Sequence, residues 1–430
     1  MSERDLDQKL ELRRAFWAMG ASTRLDVKLG ALIPQERGRA GSEEWTDLDV
    51  LAVEYSPLIG LSHSVADCKT VKGRVAERVF WLRGVADLFD ARAVFLARDD
   101  PLPASARQLA VRLGIAALDA RDRAVLLEQA GDTGLPRVGG FLDRETFVRW
   151  NGLVGTSSKT IDRLQRYRST IYWLVPHHRN LTYLVGEVQR VRKELDWHAP
   201  ASLALVLDLA WLYLLAVLGA LDDMTRLQLA DQNAGLRFAL LGGEQEAQRQ
   251  EWLAGQLRKL LAASRPGREP PSVPVLPEYY GELSTLLTRV ARRRADATTA
   301  LRVLEFVGAE TVANRGATWQ EAFPGGSPYG PKLASDVVQF LLVACGLDHD
   351  FLDRFDNLLD HRLTASKREP MAMRQVAAVQ TPLFEAAGEG TVPASALPDI
   401  STKRAPDQQR EAQQESQGTL PDSTEAERRP

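Results

Sequence analysis

The chain has 430 residues, of which 44% are hydrophobic and 26% charged, with a formal net charge of -3. That composition supports buried cores and, at this length, two or three domains; it excludes a basic coat over the whole molecule but leaves room for a local phosphate-binding groove. Two distant cysteines, Cys68 and Cys345, exclude a disulfide framework or a CxxC metal site, and the charged opening MSERDLDQKLELRR has no secretion-signal core, which points to a cytoplasmic protein.

Residues 5–19 place Leu12, Phe16 and Met19 at helical spacing, with Leu6 and Leu10 near the same side, and predict a helix ended by Gly20. Over 23–32, Leu25, Val27 and Leu29 alternate with polar neighbours, as in a strand with one buried face. Residues 34–44 are polar and contain Gly38 and Gly41, the composition of a loop. Residues 47–55 (DLDVLAVEY) are apolar at nearly every position and read as a second strand covered on both faces. After a turn at 57–61, residues 63–70 (HSVADCKT) make a third strand, 74–89 an amphipathic helix built on Val75, Val79, Leu82, Val85, Ala86 and Phe89, and 92–97 a fourth strand. A helix over 105–113 and a short fifth strand over 115–118 complete the series. Three successive strands form a meander, and the helical crossover brings the fourth alongside. The expected fold is therefore an N-terminal α/β part, with a mixed sheet of four or five strands flanked by helices.

From about residue 119 the pattern becomes helical. Residues 179–197 carry a stripe of Leu181, Leu184, Val185, Val188, Val191 and Leu195. Residues 201–224 are apolar enough to be weighed as a membrane span. Asp208 within the segment and the absence of flanking Lys or Arg clusters favour a buried core helix over a span. Residues 244–263 form another amphipathic helix, 265–277 a Pro-rich linker, and 278–295, 300–307 and 332–345 a second helical set. Residues from about 398 onward are polar and poor in apolar side chains, the composition of a disordered tail. The division read from the sequence is 1–125, 126–264, linker 265–277, 278–397 and tail 398–430.

The chemistry lies in the second and third strands. Side chains two apart on a strand share a face, so Asp67 and Lys69 project together while Ala66 and Cys68 turn the other way. If the two strands pair, Asp49 stands beside Asp67. A divalent cation removes the repulsion between two such carboxylates, and the Cys68 carbonyl offers a further oxygen. Lys69 then sits where it can orient an activated water and stabilise a phosphorane with its charge.

Asp49, a seventeen-residue spacer and then Asp67-Cys68-Lys69, within this order of elements, resembles the PD-(D/E)xK (restriction-endonuclease-like) superfamily of nucleases, on its Mrr and Holliday-junction-resolvase side. The resemblance covers roughly residues 5–120. It implies a metal-dependent nuclease, acting on DNA before RNA, with Mg²⁺ or Mn²⁺ as cofactor, Asp49, Asp67 and Lys69 as catalytic residues, and Asp49, Asp67 and the Cys68 carbonyl as metal ligands. Many members add a Glu from the first helix. Glu11 is the candidate here, although its position beside the core residue Leu12 favours a solvated surface side chain. Lys72, Arg74, Arg78 and Arg83 flank the site as candidate phosphate contacts. The helical region is expected to bind substrate, a partner protein or a second copy.

Two other readings stay open. The α/β part can be an inactive nuclease-fold scaffold within a larger assembly. Asp47-Leu48-Asp49 also matches the D-x-D pair of nucleotidyltransferases, although the Gly-Ser turn of that family is not at its expected distance and Lys69 has no role there.

Overall fold

The computed structural model describes residues 3–34, 40–69, 75–152, 159–226, 231–264, 269 and 271–359. The tail expected over 398–430 and part of the Pro-rich linker lie outside them. Helix α1 (Glu3–Ala18) leads into a five-stranded mixed sheet in the order β1-β2-β3-β4-β5. β1 (Ser22–Pro34), β2 (Ala40–Ser56) and β3 (Gly60–Lys69) form an antiparallel meander. Helix α2 (Val75–Leu88) crosses over to β4 (Ala91–Arg98), parallel to β3, and α3 (Ala104–Arg112) leads to β5 (Ile115–Leu118), parallel to β4.

The meander is longer than expected. Residues 40–44, given to a loop by their polarity, continue β2 and pair with β1 through the register Gly30↔Glu44 to Pro34↔Ala40. Glu43, Glu44 and Trp45 are exposed there, so the ribbon runs past the core and needs no apolar alternation. Its register shifts between Leu29 and Gly30, where a Cβ on residue 30 would lie 1.9 Å from the Glu43 carbonyl oxygen; only glycine permits that approach.

Two apolar layers hold the sheet. Val50, Ala52, Ala66, Cys68 and Ala97 pack with Leu12 and Phe16 of α1, against which Leu126 of α4 (Ala120–Ala130) also rests. Leu51, Val53, Val65, Val94 and Leu96 belong to a larger core with Val79, Leu82 and Val85 of α2 and the helical region. That region comprises α5 (Arg144–Gly152), α6 (Lys159–Arg166), a π-helical turn (Tyr167–Ile171), α7 (Tyr172–Leu174), α8 (His177–Val191), α9 (Pro200–Arg226), α10 (Gln232–Leu241), α11 (Glu244–Ser264), α12 (Tyr280–Arg292), α13 (Ala297–Val312), α14 (Trp319–Ala322), α15 (Tyr329–Cys345) and α16 (Asp350–Leu359). The last strand ends at Leu118 and the chain is helical from α4 onward, so residue 125, the boundary read from the sequence, falls inside a helix. The sheet and the helices share the larger core and belong to one compact unit, Met1–Arg368.

Helix α9 is the centre of the helical part. It is the described helix long and apolar enough to cross a membrane, and most of its apolar window is buried against other helices of the chain. Asp208 within it is paired with Arg24 and Arg168, which offsets the cost of burying a carboxylate.

Candidate active site at the β2–β3 pair

The register Val50↔Ala66 carries Asp49 and Asp67 to neighbouring positions of paired strands. Both are buried, at 3% and 1% exposure. The Cys68 backbone N–H donates to Asp49 Oδ2 at 2.7 Å, locking the carboxylate to the adjacent strand. Lys69 Nζ stands 3.7 Å from Asp49 Oδ2 and 3.5 Å from Asp67 Oδ1, with its side chain 36% exposed. The two acids and the lysine expected from the strand pattern therefore meet at one point, and Lys69 is the one of the three in contact with solvent.

Further groups enter the same cluster. Lys9, from α1, reaches Asp49 Oδ1 at 2.7 Å and also pairs with Asp26 of β1 at 2.5 Å. Burial opposes its charge, but Asp49 and Asp26 outweigh it and hold the Lys9 ammonium above the ordinary lysine range. Arg78 of α2 forks onto Asp67, with Nε 2.7 Å from Oδ2 and Nη2 against Oδ1, while its guanidinium lies 3.4 Å over the Trp81 ring. Asp26, Asp47 and Asp49 offer carboxylate oxygens within 4.8 Å of one another. Asp26 opposes Asp49 across the ribbon in a left-handed conformation, φ 54°, which aspartate tolerates better than most residues.

Four carboxylates thus face three cations, with the Lys28–Glu44 ion pair lying beside Asp47 and Asp26. Burial pushes the Asp49 carboxyl above the ordinary aspartate range; Lys9 and the Cys68 N–H oppose this and the charge of Asp67 adds to it. Burial likewise pushes the Cys68 thiol well up, so its sulfur is a packed core atom and its contribution is the backbone.

The other expected residues sit elsewhere. Glu11 is 43% exposed at its side chain and pairs with Arg123 at 3.0 Å; Lys9, not Glu11, is the α1 residue that joins the carboxylates. Arg78, expected on a phosphate-contact face with Arg74, is turned onto Asp67, and Arg83 pairs with Asp87 one turn along α2. Lys72 and Arg74 lie outside the described residues. Lys9 had a signal in the sequence, since it falls three residues from both Leu6 and Leu12, a lysine on the apolar stripe. Asp26 had none, because its place depends on a backbone conformation its neighbours do not encode.

The donor set suits a hard divalent cation, which takes carboxylate and carbonyl oxygens. The excess of acid over base and the strain on ionised Asp49 both favour an added positive charge. Gln8, adjacent to Lys9 and one turn before Leu12, is buried with neither amide atom hydrogen-bonded among the described residues. Each oxygen of Asp67 is held by Arg78, so a cation there takes the place of that fork. Compared with models of protein families, with curated proteins and with solved structures, the chain matches none.

Proposed function

We infer that this chain is a metal-dependent hydrolase of nucleic-acid phosphodiesters, DNA before RNA, with the restriction-endonuclease-like arrangement of helix, meander, crossover helix and strand. The observation that carries the reading is the convergence of Asp49, Asp67 and Lys69 on the paired strands β2 and β3, with the lysine reaching solvent. The strand order and directions, antiparallel through β3 and parallel beyond it, support the same reading.

Asp49, Asp67 and the Cys68 carbonyl are the groups that would hold Mg²⁺ or Mn²⁺. When bound, the ion supplies Lewis acidity and an activated water. The chain supplies the rest. Lys69 places a part-exposed ammonium beside both carboxylates, where it can meet charge developing on a phosphate. Lys9 fixes the orientation of Asp49 from behind, permanently charged. Arg78, part-exposed on its helix, can exchange Asp67 for a phosphate oxygen, as a guanidinium fork serves both anions.

The fork itself favours a second reading, in which the carboxylates are neutralised by the protein's own cations and the α/β part is a scaffold. The two separate on one experiment. Labelled duplex and single-stranded DNA are incubated with the full chain in Mg²⁺, Mn²⁺ or EDTA, beside Lys69→Ala, a substitution at a solvent-reaching side chain. The hydrolase reading expects cleavage that needs the metal and is lost in the variant while its circular dichroism is unchanged. Metal-independent cleavage, or equal cleavage by a folded Lys69→Ala, rejects it. Absence of cleavage together with absence of Mn²⁺ binding by calorimetry leaves the scaffold reading standing.

A further inference from the structure

A cavity of about 470 Å³ opens between β1, α5, the α6–π-turn segment, α9 and α13. That is within the range of small-molecule sites, roughly 300–1,000 Å³. Its walls are largely apolar and aromatic, with Leu25, Phe147, Trp150, Trp211 and Leu304 among them.

Its floor is ionic and unbalanced. Asp208 accepts from Arg24 Nη1 and Nη2, both at 3.0 Å, and from Arg168 Nε. Two guanidiniums, that of Arg168 buried and that of Arg24 11% exposed at its side chain, therefore share one carboxylate. Glu305, also in the lining, cannot balance the second, because its oxygens already accept from Arg13, Trp17, Ser22 and Thr23. Burial pushes Arg168 below its ordinary value, against the pull of Asp208, and the charge of Arg24 adds to the shift. A buried excess of positive charge is costly unless an anion joins it.

The backbone around the cavity departs from regular geometry at two separate places. The π-helical turn Tyr167–Ile171 presents Arg168 and Ser169 to it, and Asp26, in its left-handed conformation, lines it from β1. Single π turns and strained residues gather at ligand sites, because only a selected function maintains them against regular structure.

We propose that this cavity is a nucleotide-binding pocket, receiving the phosphate of a single nucleotide at the Arg24–Arg168 pair and its base on the Trp150 side. Arg168 lies 4.9 Å over the Trp150 ring, so the cation and the indole form one continuous surface. A phosphate supplies the missing negative charge; Arg24 turns both Nη atoms to Asp208, and Arg168 holds Asp208 by Nε and Gln165 Oε1 by Nη1, so Arg168 Nη2 is left to meet a phosphate oxygen among the described residues. A base supplies a flat apolar face for Trp150 and Phe147, and the amide of Asn151 meets its polar edge. Asp162 and Arg166, both exposed, stand at the mouth with opposite charges.

The same chemistry has two sources, a free nucleotide or one nucleotide of a bound strand. Asp26 lines the cavity and pairs with Lys9, which holds Asp49, so a strand nucleotide here would direct its neighbouring phosphate toward the carboxylates. That second source rests on the hydrolase reading; binding of a nucleotide does not.

The test is calorimetry on the full chain in EDTA, which removes hydrolysis from the readout. Titrants are dAMP, deoxyadenosine and inorganic phosphate, with Trp150→Ala and Ser169→Asp as variants. The expected result is dAMP binding about tenfold or more tighter than deoxyadenosine, weakened about tenfold in Trp150→Ala by loss of stacking. Ser169→Asp, which sets a carboxylate beside the phosphate, weakens dAMP and leaves deoxyadenosine unchanged. No binding of dAMP at millimolar concentration, equal affinity for dAMP and deoxyadenosine, or wild-type affinity in both folded variants overturns the proposal. An oligonucleotide carrying 2-aminopurine separates the sources. Fluorescence change displaced by dAMP assigns a strand nucleotide, and dAMP binding without oligonucleotide binding assigns a free one.

Discussion

The carboxylates of Asp49, buried, and Asp208, 11% exposed at its side chain, are met by two cations each, and their surroundings differ in sign. Asp49 has Lys9 and Lys69, but three more aspartates, Asp26, Asp47 and Asp67, crowd the same cluster, so acid exceeds base even with Arg78 included. Asp208 has Arg24 and Arg168, and the nearby Glu305 is engaged by Arg13, Trp17, Ser22 and Thr23; Asp162, the other acid on that side, stands exposed at the mouth beside Arg166. On the readings proposed above, the first cluster would gain from an added cation and the second from an added anion. Asp26 touches both, pairing with Lys9 on one side and lining the cavity on the other. On the two proposals above, a place for a cation and a place for a phosphate would stand side by side, as a phosphodiester substrate requires.

The sharpest break of this comparison is Lys69→Ala. Loss of one pre-placed cation at a reacting phosphate is worth about a hundredfold to a thousandfold in rate, so metal-dependent cleavage should fall by that factor in a gel assay, with the melting temperature little changed. Asp208→Ala comes next and acts on stability. It leaves the guanidiniums of Arg24 and Arg168 without their carboxylate, which costs about 3–5 kcal/mol by the usual penalty for halving a buried ion pair. Denaturant titration checks it, and a loss under about 1 kcal/mol would show that the guanidiniums find water or another acid.

Arg78→Ala sharpens the first cluster. Freeing Asp67 should tighten Mn²⁺ binding by about tenfold, a difference of about 1.4 kcal/mol, read by calorimetry. The scaffold reading expects a less stable protein and no gain in metal affinity. The smallest effect is a pH dependence outside both clusters. Burial pushes the His63 imidazole below its ordinary value, while its Nδ1 lies 3.1 Å from the Phe89 carbonyl oxygen. The unfolded chain then binds this proton more readily than the folded one, so stability is present above about pH 6.5 and is lost as pH falls through the folded value. In His63→Asn the melting temperature should decline less than in the wild type between about pH 7 and pH 5; parallel declines would remove His63 as the cause.

The legible part of the candidate site is the part written in short-range periodicity. Asp67 and Lys69 share a face because strand side chains alternate, and Asp49 joins them because one short turn returns β3 along β2. The same rule sends Cys68 and Ala66 into the layer under α1. Lys9 was within reach of the same reasoning as a cation on an apolar stripe. The pairing of Arg78 with Asp67 was not legible, since a helix face states where a side chain points and not which acid lies opposite. Residues 40–44 misled because a solvent-exposed ribbon is held by its ladder of backbone hydrogen bonds, to which polar side chains are indifferent.

The order of helix, meander, crossover helix and strand, the buried nature of α9 and the acid–lysine trio follow from the amino-acid sequence alone, because each rests on neighbours a few residues apart or on one hairpin. The Arg24–Asp208–Arg168 floor, the cavity above it and its junction with the carboxylates through Asp26 belong to the tertiary structure. Arg24 and Asp208 are separated by 184 residues and Arg168 and Asp208 by 40. Only the packing of α9 and the π turn against β1 brings them together, and no local pattern records which buried charge will meet which.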